Sequence, residues 1–217
     1  AHQQLVVSIH VSAKVSGTFQ AAESAAARVG KGTRVIAVDS RNASLGQGLV
    51  AMSAASMAAQ GLDLDEIATR LDDVIRRTRT FGLLDDLRYA VRGGRVHRSK
   101  KLVADLLRLR PVLTNFPDGT IGAGGFVLGR RNAPEKFAHF VSRRMEPGKR
   151  YRLAVGHACN PDEARRLLEL LLEQPGVDSH YLTEVGPALG AHGGPGMLVV
   201  GLQELAPTDS PEQSHPD

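Results

Sequence analysis

The chain has no tryptophan, six phenylalanines and three tyrosines among 217 residues. That scarcity leaves no stacking platform for single-stranded nucleic acid, which is read by aromatic faces set in a basic groove. Cysteine is nearly absent as well. Cys159 alone cannot close an internal disulfide, and no Cys/His cluster has zinc-site spacing, which disfavours a structural metal and suits a reducing cytoplasm. No apolar run approaches the roughly 20 residues of a membrane span, and no basic-then-apolar leader opens the chain, so a soluble protein is expected. The first residues, Ala1 to Gln4, carry no initiator methionine and lead at once into the apolar run Leu5 to Ile9, so the sequence is expected to begin inside a longer chain with part of its N-terminal region missing.

Several nucleotide and nucleophile motifs are absent too. Gly30-Lys31 and Gly148-Lys149 lack the upstream glycine and following hydroxyl of a P-loop, and there is no Gly-x-Ser-x-Gly elbow. Gly46-Gln47-Gly48 with Ala51 imitates a dinucleotide fingerprint. However, the loop before it is long and no acidic residue stands at the end of a following strand to hold a ribose. The net charge of +4 and a pI near 9.5 invite a nucleic-acid reading. Charge alone carries it, so no nucleic-acid partner is expected. At this length the chain can bury a core without a disulfide or metal staple.

What is present is an alternation of strands and helices. Leu5 to Val11 is β-branched and apolar, Ser12 to Thr18 is a small polar loop, and Phe19 to Val29 is an Ala-rich helix. Arg34 to Val38 repeats the strand, Asp39 to Gln47 the loop, and Gly48 to Gln60 the helix, closed by Gly61. A third helix, Leu64 to Thr78, has acidic residues in its first turn, where the dipole favours them. This order predicts a Rossmann-like parallel-sheet domain over residues 1–85. Arg92-Gly93-Gly94-Arg95 then breaks the pattern before a helix from Ser99 to Leu109, ended by Pro111. Strands at Val112 to Phe116 and Thr120 to Leu128 flank Pro117-Asp118-Gly119, a hairpin signal. Helix Pro134 to Met145, strand Tyr151 to Gly156, helix Pro161 to Glu173 and strands Val177 to Thr183 and Met197 to Leu202 complete an α+β domain over residues 86–205 with antiparallel strands. Residues 206–217, rich in Pro, Ser and acid, are expected to be disordered.

Three stretches have the composition of a site. Ser16-Gly17-Thr18 lies between a strand and a helix, where free N–H groups favour an anion; the plainer alternative is a helix cap. Gly190-Ala191-His192-Gly193-Gly194-Pro195-Gly196 specifies an unusual loop around one histidine. That histidine either points to solvent or donates a hydrogen bond to a bound anion. Arg92-Gly93-Gly94-Arg95, with His97, Arg98, Lys100 and Lys101 after it and Arg130-Arg131 further on, is either a solvated basic face or a docking surface for a phosphate or an acidic partner. His157 beside Cys159 reads as a packed histidine and a buried cysteine rather than thiol chemistry. Met52 and Met57 read as core or tunnel lining. Ala51, Ser53, Ala54, Ala55 and Ala58 offer a small-residue helix surface that suits either close helix packing or a tunnel wall.

Taken in order, Ser12-Ala13-Lys14-Val15-Ser16-Gly17-Thr18-Phe19-Gln20, Val38-Asp39-Ser40 with Ser44-Leu45-Gly46-Gln47-Gly48, Gly93-Gly94-Arg95-Val96 and His192-Gly193-Gly194-Pro195-Gly196 resemble the DegV family over nearly the whole chain. The resemblance implies a two-domain α/β carrier with no cofactor that binds a long-chain, palmitate-like fatty acid and presents it to a fatty acid kinase. It implies that Ser16 holds the carboxylate through its hydroxyl and backbone N–H, beside Gly17 and Thr18, and that His192 and Gly193 complete the head-group network. Arg95, Arg130 and Arg131 become the positive surface that meets the kinase. A cytoplasmic monomer making transient contact with a membrane surface is expected. Two departures stand out: Ala13 replaces a second serine, and the family's N-terminal loop that touches the carboxylate has no counterpart. The competing expectation is a serine-dependent hydrolase or acyltransferase with Ser16 as nucleophile, His192 as base and Asp39 orienting it.

Overall fold

The structure, a computed structural model, describes residues 4–30, 32–94, 109–207 and 209. Strands β1 (Gln4–His10) and β2 (Thr33–Asp39) pair in parallel, Val7 opposite Ile36, and are joined through α1 (Thr18–Ala26). Two helices follow, α2 (Ser44–Ala59) and α3 (Leu64–Arg76). A capping box starts α3: Asp63 accepts from the Asp65 and Glu66 amides while Glu66 accepts from the Asp63 amide. Of its apolar stripe, Ile67, Leu71, Val74 and Ile75 pack with Val50, Ala54 and Met57 of α2 beneath Val7, Ile9 and Val38.

The chain then builds a six-stranded sheet in the order β5-β4-β3-β8-β6-β7. Its strands are β3 (Thr78–Leu83), β4 (Leu109–Asn115), β5 (Ile121–Leu128), β6 (Arg150–His157), β7 (Val177–Glu184) and β8 (Leu198–Leu205). Every pairing is antiparallel except β6 with β7, which are linked by a helical crossover. The helices between these strands are α4 (Leu87–Arg92), α5 (Ala133–Ser142), α6 (Pro161–Leu172) and α7 (Pro187–Gly193). The parallel two-stranded sheet and the larger mixed sheet match the expected α/β class.

Side-chain alternation divides the larger sheet into two faces. Phe81 and Leu83 of β3, Leu153 and Val155 of β6, and Leu198, Val200 and Leu202 of β8 face α5 and α6 in the principal core with Phe137, Leu167 and Leu171. The other face carries Thr80, Gly82, Leu113, Asn115, Val199, Gly201 and Gln203. There α2 comes close: a Cβ on Gly201 would sit 3.0 Å from the Leu45 carbonyl carbon, and one on Gly46 would sit 2.2 Å from Thr80 Oγ1. These two glycines let the first turn of α2 lie directly on β8 and β3.

Some local expectations are revised. The third helix stops at Arg76, and Thr78–Leu83 is a strand that pairs on both sides within the larger sheet, although it lies before residue 85. Helix α2 begins at Ser44 rather than Gly48, with Ser44 in the left-handed region (φ 51). The helix expected from Ser99 falls almost wholly outside the described residues. Pro111 lies inside β4 instead of ending a helix. It is tolerated because it sits just past the β3–β4 ladder, where its carbonyl accepts from the Leu84 amide. The glycine-rich stretch around His192 is the end of a helix and not only a loop. Cys159 is exposed, not buried, at a left-handed φ of 52. The hairpin at Pro117-Asp118-Gly119 is found, with Gly119 at φ 86 and the Asp118 carboxylate accepting from the Thr120 amide and hydroxyl. Of the expected tail, Ala206, Pro207 and Asp209 are described, with the Asp209 carboxylate accepting from Arg77 and the Ala206 amide. The rest lies outside the described residues.

Candidate functional site

A cavity of about 380 Å³ opens on the inner face of the larger sheet. Its floor is Thr80 and Gly82 of β3, Leu113 and Asn115 of β4, and Val199 of β8. Val11, Val15 and Ser16 descend from the segment after β1, Ala43 and Ser44 stand at the start of α2, and Ala90, Leu189, His192 and Met197 close the other side. The volume is that of a small-molecule site, and most of its walls are aliphatic.

The polar floor residues are already engaged with the protein. Thr80 Oγ1 lies 3.1 Å from both Asn42 Oδ1 and the Ala43 carbonyl, and the Thr80 amide donates to Asn115 Oδ1 at 2.8 Å. Asn115 Nδ2 donates to the Arg41 carbonyl at 3.1 Å, and Asn42 Nδ2 to the Ser40 carbonyl at 3.0 Å. These bonds tie the polar floor groups to the protein, and the floor between them, Gly82, Leu113 and Val199, is apolar.

His192 is the contrasting group. It sits in the last turn of α7, a helix opened by Pro187 and closed where Gly194 turns to φ 78. Its Nδ1 is buried and has no hydrogen-bond partner among the described residues. The ring rests on Gly93 at the end of α4: a Cβ there would lie 2.1 Å from Nδ1. The contact is reciprocated across the two helix ends, because a Cβ on Gly194 would meet the Tyr89 ring at 2.5 Å. A Cβ on Gly193 would meet Met197 Sδ at 1.9 Å. Two glycine motifs far apart in sequence therefore dock on each other and clamp the imidazole at the cavity wall. The sequence displayed both motifs, but nothing in it tied one to the other.

Ser16 reaches the same cavity, with a different local role from the one implied. Its backbone N–H donates to the Ser12 carbonyl at 3.1 Å, so that group is occupied by a turn. Its hydroxyl accepts from the Thr18 amide and donates to Thr18 Oγ1, both at 3.3 Å. Gly17 and Thr18 are exposed at the start of α1 and are not part of the cavity wall; Gly193 is buried and is part of it. The structure thus brings Ser16, His192 and Gly193 to one cavity.

The basic candidates lie elsewhere. Arg130 is exposed and pairs with Asp85 at 3.0 Å; Arg131 is also exposed. Arg95 lies outside the described residues. Asp85 also faces Arg110 at 3.4 Å, a side chain only 6% exposed. Burial pulls the Arg110 guanidinium below its ordinary value, and the Asp85 charge pushes it the other way. Asp85 packs against Gly196, so this ion-pair cluster braces the turn that follows His192.

A hydrolase triad is not assembled. Asp39 Oδ1 accepts from the Ala13 and Arg41 amides and takes no part in the cavity wall, while His192 Nδ1, the atom an orienting carboxylate would hold, rests on Gly93. Among the described residues no three His, Cys, Asp or Glu side chains group as metal ligands, and no helix is long and apolar enough to cross a membrane. The small face of α2 does not line the cavity: Ala54 and Met57 are core, Ala51, Ala55 and Ala58 are exposed, and Ser53 lies beside buried Gln203 and Arg152.

Comparisons with known proteins agree with this architecture. The family model described as an uncharacterised protein of the DegV family matches residues 1–205. A DegV domain-containing protein of Halalkalibacterium halodurans is 30% identical over 195 residues, covering 90% of this chain and 68% of the relative. One of Mycobacterium tuberculosis is 34% identical over 203 residues, covering 90% and 69%. Among solved structures, a fatty-acid-binding DegV family protein of Thermus thermophilus superposes with a TM-score of 0.83 at 30% identity, covering 94% of this chain and 72% of that one. DegV of Bacillus subtilis, described as a fatty acid binding protein, gives 0.80 at 28% identity, covering 93% and 71%. A family model spanning nearly the whole sequence, on a fold that sets the matching glycine and histidine motifs around one cavity, shows that this chain belongs to the DegV family.

Proposed function

We propose that this protein binds a long-chain fatty acid, its tail in the cavity over β3 and its carboxylate at the end marked by Ser16 and His192. The observation that carries the reading is the division of polarity in the cavity wall. Thr80 and Asn115 are bonded within the protein, and among the described residues that line the cavity the buried polar side-chain atom without a partner is His192 Nδ1. A guest that satisfies this wall has a single hydrogen-bonding end and a long apolar body. An imidazole N–H of His192, on a ring fixed by its packing against Gly93, donates to the carboxylate, a charge-assisted bond worth roughly 1.5–3 kcal/mol. Each methylene buried adds about 0.8 kcal/mol, so the tail supplies most of the affinity and the head fixes orientation.

The uncapped start of α2 reinforces the head-group end. Ala43 and Ser44 line the cavity, Ala43 offers no side-chain cap and the first turn holds no acidic residue, so the positive end of a 16-residue helix faces the guest. The carboxylate-activating step belongs to a separate fatty acid kinase in this reading, with Arg130 and Arg131 on the surface that meets it and Arg95 as a third member. The protein carries the acid and performs no chemistry on it.

Mass spectrometry of freshly purified protein, under native and denaturing conditions, tests this. A fatty acid is expected to co-purify near one per chain and to be lost from the Ser16→Ala, His192→Ala double variant. Protein that purifies empty and takes up no palmitate after incubation would overturn the proposal.

A further inference from the structure

We infer that Gly82, the next-to-last residue of β3, is the bed on which the acyl tail crosses the sheet, and that the size of the residue at this position sets which straight-chain acids fit. The inference rests on the fatty-acid reading above and adds a specificity-determining residue to it. A glycine inside a central strand weakens the strand and packs nothing, so it calls for a reason. Gly93, Gly193 and Gly194 have theirs in the protein atoms that press on them. Gly82 has none of that kind. Its backbone is not left-handed, and a Cβ built on it meets no atom within 4 Å. The space above it is the cavity itself.

Register gives that space a shape. Gly82 is paired with Leu113 on β4 and with Val199 on β8, and both neighbours stand into the same cavity. Along β3 itself the next residues on this face are Thr80 and Leu84. The missing side chain thus leaves a depression in the sheet, bounded by Leu113 and Val199 on the neighbouring strands and by Thr80 and Leu84 along the chain. A polymethylene chain that passes over it settles closer to the strand there than anywhere a side chain stands; a side chain at position 82 takes the same volume away from it.

The test is a graded series, Gly82→Ala, Gly82→Val and Gly82→Leu, delipidated and titrated with laurate, palmitate and stearate, with the melting temperature of each ligand-free protein measured alongside. Palmitate affinity is expected to fall in order of side-chain size, by about 15- to 60-fold for Gly82→Val, the equivalent of some two to three methylenes displaced from burial. Laurate should lose less than stearate. The melting temperature of Gly82→Val should hold or rise, since valine suits a strand better than glycine. Variants that bind palmitate like the wild type would overturn the inference, as would a loss of binding that only tracks a loss of stability. A wild-type protein that binds none of the three acids removes the fatty-acid reading and this inference with it, an outcome distinct from a wild type that binds and a series that does not respond.

Discussion

Gly93 and Gly94 are adjacent, and the structure assigns them opposite consequences when alanine replaces them. Gly93 has ordinary right-handed dihedrals (φ −66, ψ −14), so its backbone accepts any residue. What it excludes is a Cβ, which would lie 2.1 Å from His192 Nδ1 where 3.4–4 Å is ordinary contact. In Gly93→Ala the imidazole must therefore move by more than an ångström, away from the position in which the proposed function has it meet the carboxylate. Losing a charge-assisted bond of roughly 1.5–3 kcal/mol predicts palmitate binding weaker by about 10- to 150-fold. The unstrained backbone limits the loss of stability to that of crowding one packed contact, about 1–3 kcal/mol. Gly94 is the reverse case: φ is 68 and a Cβ there meets nothing within 4 Å. Gly94→Ala should cost about 1 kcal/mol, a melting temperature lower by about 2–4 °C for a chain of this size, with binding intact. Calorimetric titration with palmitate and thermal melts of both variants decide the matter. Wild-type affinity in Gly93→Ala would refute the clamped imidazole as the head-group contact.

Other substitutions separate the cavity from the scaffold. Asn42→Ala removes a buried side chain that bonds Ser40 and Thr80, and should cost about 3 kcal/mol, read from the shift in urea midpoint. Asp63→Ala breaks the α3 capping box and should cost about 1 kcal/mol without altering ligand affinity. Leu167→Ala, fully buried between α6 and the outer face of the large sheet, should cost about 2–5 kcal/mol while titrations of the folded fraction stay as in the wild type, because the cavity lies on the opposite face.

The alternation of strands and helices was legible because each apolar run is bounded by turn chemistry and the helices from α3 onward open on a side-chain cap or a proline. Thr78–Leu83 was not, since Thr78, Thr80 and Gly82 face a polar seam and a cavity, so the strand lacks the apolar run that marks a buried one, and it follows α3 with no turn residue between. Helix α7 was hidden by its four-glycine neighbourhood. Those glycines looked like loop material, but Gly193 and Gly194 are there to let Met197 and Tyr89 approach the backbone. Pairing Ser16 with His192 came from the order of motifs and not from any spacing, because only the folded sheet brings the two segments together. The alanines of α2 misled in the other direction: small residues suit a tunnel wall and close packing equally, and here the close contact is Gly46 against Thr80 with Gly201 against Leu45.

The cavity is a composite, and that determines what must hold still for it to work. Its floor belongs to the large sheet, while Val11, Val15 and Ser16 hang from the strand that begins the small one. Buried side chains stitch the seam between them. Ser12 Oγ donates to the Gly119 carbonyl at 2.6 Å, across to the hairpin that joins β4 and β5, and Asn115 reaches from β4 to the Arg41 carbonyl. Asn42 bonds Thr80 on β3, and Gln203 of β8 continues the line through Thr78 to Ser53 and Arg152. A buried polar bond contributes only about 1 kcal/mol net, yet breaking one strands a partner at roughly 1–3 kcal/mol, so such a seam specifies one alignment far more strongly than it adds stability. Arg41 and Ser44, both in the left-handed region at φ 48 and 51, lie along this same seam. Strain held beside the cavity and restrained by a polar network suits a wall assembled from both sheets, with Ser16 following a strand of the small one and His192 standing between two strands of the large one.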